Sequence, residues 1–189
     1  LATRAAQAGH QSCVVDTDPQ ASAAAWSDWR GDYLPVVVTS PPARLPRTIE
    51  SAVSHGMTFL AIDTPPHADA AAREAIKAAD VVLIPTRLRA FDLAALEPIV
   101  DLVTMAKTPA FVVFNAVPAG AKVLVAEAEA VATQLGLAIS PVTLGERAAF
   151  HRSSAKGETA AEIEPEGKAA AEIEALWQWL MAELGKRAR

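Results

Sequence analysis

Short apolar runs alternate with longer helical stretches along this chain, and that alternation constrains the fold more than any other feature. The runs are Ser12–Asp16, Leu34–Thr39, Thr58–Asp63, Asp80–Pro85 and Ala110–Asn115, with a weaker one at Leu137–Pro141. Most are β-branched and apolar at successive positions, so both faces of each strand must be covered. That is the pattern of parallel strands sandwiched by helices. Between them, Gln20–Trp29, Pro46–His55, Ala68–Ala79, Phe91–Lys107 and Gly120–Leu135 carry helical periodicity or are rich in alanine, the strongest helix former. Strand and helix in alternation predict an α/β fold, a mainly parallel sheet with helices on both faces. Pro98 falls inside the fourth stretch and either kinks that helix or marks its real start.

The chain has 189 residues, enough for one domain with a real core and short for two. Its formal net charge of -5 provides no global basic field for nucleic acid. Cys13 is the single cysteine, which rules out an internal disulfide or a cysteine-based zinc site and fits a reducing cytoplasm. No apolar run approaches the roughly 20 residues of a membrane-spanning helix. The opening "LATRAAQAGH" reads as the second half of a helix capped by Gly9. It has no N-cap of its own, and residue 1 is leucine, so an upstream segment is expected.

The tail has a different character. Gly145–Glu166 is polar and mixed. After it, Ile173, Leu176, Trp177, Leu180, Met181 and Leu184 recur at the spacing of an amphipathic helix docked on the body. Glu172, Glu174 and Glu183 border that face and argue against an anionic lipid surface. Lys186, Arg187 and Arg189 suit the helix C-terminal dipole. Trp26, Trp29 and Trp177 are expected to pack, and Trp179 to be half exposed. His10, His55, His67 and His151 show no metal-ligand spacing, and Ser153 and Ser154 lack the context of a nucleophile.

In open parallel sheets, ligands bind at the carboxyl ends of the strands. Polar residues collect there. "VVDTDPQ" ends the first strand in Asp16 and Asp18, "FLAIDTPPH" ends the third in Asp63, and "FVVFN" ends the fifth in Asn115. Asp16 and Asp18 are two apart, so their side chains point the same way and suit a bound cation or a positioned water. An apolar strand ending in Asp is the Walker B pattern, in which the carboxylate reaches Mg²⁺, usually through water. A strand-final Asp is also a common helix cap or turn former; three such acids together favour the cation.

The segment "VVDTDPQASAAAWSDW" resembles the one after the second strand in ParA/MinD-type deviant Walker ATPases, above all the small ParA proteins of plasmid partition. "FLAIDTPPHADAAAREAIKAADVVLIPTRLRAFDLAAL" is similar to their Walker B strand, the helix after it and the segment beyond that helix. "FVVFNAVPAGAK" is similar to the strand ending in a base-contacting Asn, and the tail from Gly145 resembles their C-terminal region. The resemblance runs nearly end to end. It implies a single ParA-like ATPase domain over residues 1–189, P-loop NTPase-like in fold. It also implies roles. Asp16 and Asp63 would hold Mg²⁺, Asp16 through water. Asp18 would orient or activate the water that attacks the γ-phosphate, and Asn115 would contact the adenine. Pro141 matches a proline near the base, and equally a plain strand-ending proline. The family further implies ATP and Mg²⁺ as cofactors, an ATP-dependent homodimer, non-specific DNA and a ParB-like centromere-binding protein as partners, no membrane association, and a nucleoid-associated cytoplasmic location.

The chain departs from the family at two points. None of its nine glycines begins the phosphate-binding pattern G-x-x-x-x-G-K-[ST]. The family's KGGxGKT loop would fall just before Leu1. Either the first strand and loop lie upstream of an N-terminally truncated sequence, which the half-helix start favours, or this is a degenerate relative that cannot bind ATP. Arg87, Leu88 and Arg89 also stand where the family often has proline and serine, with Asp92 kept. These arginines suit a phosphate or a partner subunit, or a solvated loop. Basic residues for DNA would be Arg147, Arg152, Lys156 and Lys168. They are interleaved with Glu146, Glu158, Glu162, Glu164 and Glu166, as on an ordinary solvated surface. The alternatives are a non-catalytic ParA-like interaction module, a ParA-like accessory ATPase of conjugation or secretion, and a MinD-like positioning ATPase. The last usually ends in a basic membrane helix, unlike the acidic one here.

Overall fold

The computed structural model describes residues 1–66 and 70–186. His67, the first two residues of the helix expected at 68–79, and the basic end residues Arg187 and Arg189 lie outside the described residues.

The expected alternation is present. The strands are β1 (Ser12–Asp16), β2 (Val36–Thr39), β3 (Phe59–Asp63), β4 (Val82–Thr86), β5 (Ala110–Phe114) and β6 (Ala138–Ile139). The helices are α1 (Ala2–Gln7), α2 (Ser22–Arg30), α3 (Leu45–Ser54), α4 (Ala70–Ala78), α5 (Ala90–Ala94), α6 (Glu97–Ala106), α7 (Lys122–Gln134), α8 (Ala148–Ser154), α9 (Ala160–Ile163) and α10 (Lys168–Gly185). All strand pairs are parallel, but they form two three-stranded sheets, ordered β2-β1-β3 and β4-β5-β6. β3 and β4 are therefore end strands, one in each sheet.

Two helices tie the sheets together. In α4, Ala75 packs with Cys13, Val15 and Leu45 in the core of the first sheet, while the next residue, Ile76, packs with Ile84, Val112 and Phe114 in the core of the second. The Ile76 carbonyl accepts a hydrogen bond from Thr108 Oγ1 at 2.8 Å. In α10, the Trp177 ring meets Phe59 of β3 edge-on at 5.3 Å, and Trp179 meets Phe111 of β5 at 5.0 Å. Leu176, Trp177 and Leu180 are buried, as the periodicity predicts. Arg4 of α1 pairs with Glu174 of α10, and its guanidinium stands 5.7 Å from the Trp177 ring.

The local stops follow from the residues. Gly9 takes φ +91°, its N–H bonds the Ala6 carbonyl, and the His10 N–H bonds the Ala5 carbonyl. This double closure of a helix end requires a left-handed residue, which glycine adopts without strain. The single helix expected at Phe91–Lys107 is two, α5 and α6, with Pro98 in the first turn of the second. There the missing N–H costs nothing. β2 begins after Pro35, which has no N–H for the sheet. The polar, mixed tail at 145–166, for which no element was expected by name, contains α8 and α9. Trp29, expected to pack, is 62% exposed.

Candidate functional site

β1 and β3 are paired in register, with Asp16 directly beside Asp63 at their carboxyl ends. Neighbouring strands lie about 4.8 Å apart, so the two acids share one rim. Thr17 locks it: its N–H and its hydroxyl both donate to the Asp63 carbonyl, at 2.9 and 2.7 Å. The Ser40 N–H donates to the Asp16 carbonyl at 2.8 Å and holds the end of β2 to the same level.

The three acids differ in setting. Asp16 is 1% exposed. Its Oδ1 accepts the Asp18 N–H at 3.0 Å, and its Oδ2 accepts the N–H groups of Ala23 and Ala24 at 3.1 and 3.2 Å. Those last two are first-turn amides of α2, which have no acceptor within the helix. Asp16 is therefore the anionic cap of α2. Asp18 is half-buried, and its Oδ1 accepts the Gln20 N–H at 2.8 Å, which shapes the turn into α2. Asp63 is exposed. The surrounding protein and the charges of Asp16 and Asp18 nevertheless push its carboxyl above the ordinary carboxylate range, against one opposing hydrogen bond from the Thr64 N–H. The rim concentrates negative charge at Asp63 with no cationic side chain bonded to it among the described residues.

A Mg²⁺ ion fits this rim only in a particular way. Among the described residues, no group of three His, Cys, Asp or Glu side chains is placed to hold a metal ion. Asp63 presents an open carboxylate, whereas three N–H groups occupy Asp16. Such a donor set suits an ion that keeps most of its water shell and takes further ligands from a phosphate group.

Asn115 and Pro141 lie on the second sheet. Asn115 follows β5, and its Oδ1 accepts the N–H of Ala116, which sits at φ +51°. Pro141 follows β6 and is exposed. Extending the β5–β6 register places it level with Phe114, one residue before Asn115. A cleft of about 340 Å³ opens beside this rim, lined by Val117, Pro118, Lys122, Val125 and Thr143 among others. The structure thus gathers the three acids on one rim and the amide and proline on another, with no hydrogen bond between the two sets among the described residues. Arg87 and Arg89 follow β4 and are exposed, whereas Leu88 between them packs on the core. Of the candidate DNA contacts, Arg147 is paired with Glu172 and Arg152 with Glu164.

Sequence reasoning missed Thr17, whose clamp on Asp63 joins residues 46 apart in sequence. It also missed Arg30 and Glu162, whose side chains meet across the molecule at 2.7 Å. Glu162 had a readable signal. Thr159-Ala-Ala-Glu162 is a capping-box sequence, and the Glu162 carboxylate accepts both the Thr159 N–H and its hydroxyl, at 2.7 and 2.8 Å.

No protein-family model matches the sequence, and no curated protein matches it. Solved structures do match the fold. The MinD cell division protein of Aquifex aeolicus superposes with a TM-score of 0.72 at 15% identity, over 96% of this chain and 88% of that one. Apo McdA of Cyanthece gives 0.71 at 14% identity, over 94% and 90%. A putative plasmid partition protein of Borrelia burgdorferi, bound to AMPPNP, gives 0.71 at 15%, over 96% and 90%. The chain has a ParA/MinD-type fold, the α/β architecture of P-loop NTPase-like proteins.

Proposed function

We propose that this protein is a ParA-like partition ATPase that binds and hydrolyses ATP with Mg²⁺ to drive DNA segregation. The observation that carries the reading is the in-register pair Asp16 and Asp63, with Asp18 just beyond, at the carboxyl rim of a ParA/MinD-type sheet. Phosphoryl transfer asks a protein for positioning and charge neutralisation rather than covalent chemistry. Bound Mg²⁺ supplies the neutralisation at the phosphates. Asp63 and Asp16 would hold that ion, Asp16 through water while it caps α2. Asp18 orients the attacking water. Asn115, with Pro141 level with the end of β5, would contact the base at the second rim. An ATP-dependent homodimer, a ParB-like partner protein and non-specific DNA complete the proposal. With Arg147 and Arg152 already paired, they are weak candidates for the DNA contact. Among the described residues no helix is long and apolar enough to cross a membrane.

One observation favours a second reading. Asp16 already accepts three N–H groups, two of them from the first turn of α2; that structural task also fits a ParA-like interaction module without turnover. Equilibrium binding separates the two. Protein expressed from its complete reading frame should bind ATP at least about tenfold more tightly with Mg²⁺ than with EDTA, a difference of about 1.4 kcal/mol. Binding that is absent, or indifferent to Mg²⁺, supports the module instead.

A further inference from the structure

Helix α2 connects the acid rim to the C-terminal region; it lies against β1 and β2, and side-chain hydrogen bonds fix both of its ends. None of its residues is fully buried. Its first turn is fixed by the Asp16 carboxylate. Its last residue, Arg30, has a side chain only 8% exposed. That guanidinium donates from Nε to the Leu34 carbonyl at 3.0 Å, from one terminal nitrogen to the Gly157 carbonyl at 2.9 Å, and in a two-pronged fork to Glu162 at 3.0 and 2.7 Å. It also stacks 5.1 Å from the Trp26 ring, one turn back, whose Nε1 donates to the Glu158 carbonyl at 3.4 Å. The fit leaves no slack. Gly157 sits at φ +69°, and a Cβ there would lie 2.4 Å from the Arg30 backbone nitrogen.

We infer that Arg30 is a positioning residue for the acid rim: by gripping Gly157 and Glu162 it sets α2, and α2 sets Asp16 and the Asp18 turn. The α8–α9 segment then becomes a handle on the acids. A nine-residue helix spans about 13 Å, and a short rigid helix with no residue in the apolar cores turns as a unit when one end is released. Planar bidentate recognition makes Arg30 irreplaceable by lysine at this point. The functional consequence rests on the nucleotide reading of the rim; the mechanical coupling does not.

The test is therefore made without nucleotide, by amide hydrogen exchange. The Ala23 and Ala24 N–H groups bond the Asp16 carboxylate, so their protection reports the far end of α2 directly. In Arg30→Gln, exchange at Ala23 and Ala24 should accelerate about tenfold, with Val15 and Val112 in the strands unchanged. Glu162→Gln, a milder change that keeps the shape of the pair, should accelerate the same two amides by a smaller factor. Acceleration confined to residues 157–162, or an equal rise at every amide, overturns the inference, because Arg30 would then be a local staple or a global stabiliser. A protein that shows the coupling yet binds no ATP would refute the proposed function and leave the coupling standing.

Discussion

The two sheets end in rims of opposite character. The first rim is charged, with Asp16, Asp18 and Asp63 converging at the ends of β1 and β3, and the core beneath it is small: Cys13, Val15, Leu45 and Ala75. The second rim is neutral, with Asn115 and Pro141, and stands on a larger core that includes Phe114, Leu96, Val112 and Leu137. The half that concentrates unfavourable charge thus stands on the smaller buried cluster. Like charges held together cost stability, and a protein keeps them where a ligand relieves the cost. The neutral half, which has the larger buried cluster, is expected to carry more of the stability.

The contrast breaks most visibly in the core. Phe114→Ala, at a position 1% exposed, should destabilise the protein by about 4 kcal/mol. Leu45→Ala, 0% exposed in the smaller core, should cost about 2.5 kcal/mol. Urea unfolding of both variants checks the order, and a larger loss at Leu45 would reverse the assignment of stability to the second sheet.

A smaller effect sharpens the electrostatic half of the comparison. Because the folded protein raises the Asp63 carboxyl, its contribution is fully favourable below the unfolded-state value of about 3.9. That contribution is lost as pH rises through the folded value. Asp63→Asn should therefore stabilise the ligand-free protein at pH 7, by less than about 1 kcal/mol since the group faces solvent. The gain should fade toward pH 4. Thermal melts at both pH values read it. A variant less stable than the parent at pH 7 would mean that Asp63 is satisfied without a cation.

Much of this fold is legible in the sequence. The strand Ser12–Asp16 has the bounds its apolar run implies, because β-branched residues bounded by a turn leave little choice. The acids reach one rim because parallel strands put all carboxyl ends on one side. The features that escape such a reading depend on distant partners. The division into two sheets is a matter of which strands pair, and hydrophobic runs carry no record of that. Trp29 is expected to pack, yet α2 contributes no fully buried residue and turns that ring to solvent. Arg30 finds Glu162 across 132 residues, and in sequence both look like solvated charges. The helices α8 and α9 are shorter than the window in which periodicity shows, although the capping box at Thr159 is legible.

Phosphoryl transfer at the acid rim is the proposed function, and Asp18 is its sharpest point because the proposed role has it orient the water without holding the metal. The decisive measurement is the rate of Mg-ATP hydrolysis by the protein from its complete reading frame, beside its Asp18→Ala variant, with ATP binding measured in parallel. Slow turnover is expected, falling at least about 100-fold in the variant, roughly 2.7 kcal/mol of transition-state stabilisation, while binding persists. Equal rates in the two proteins, or turnover in neither, would contradict it.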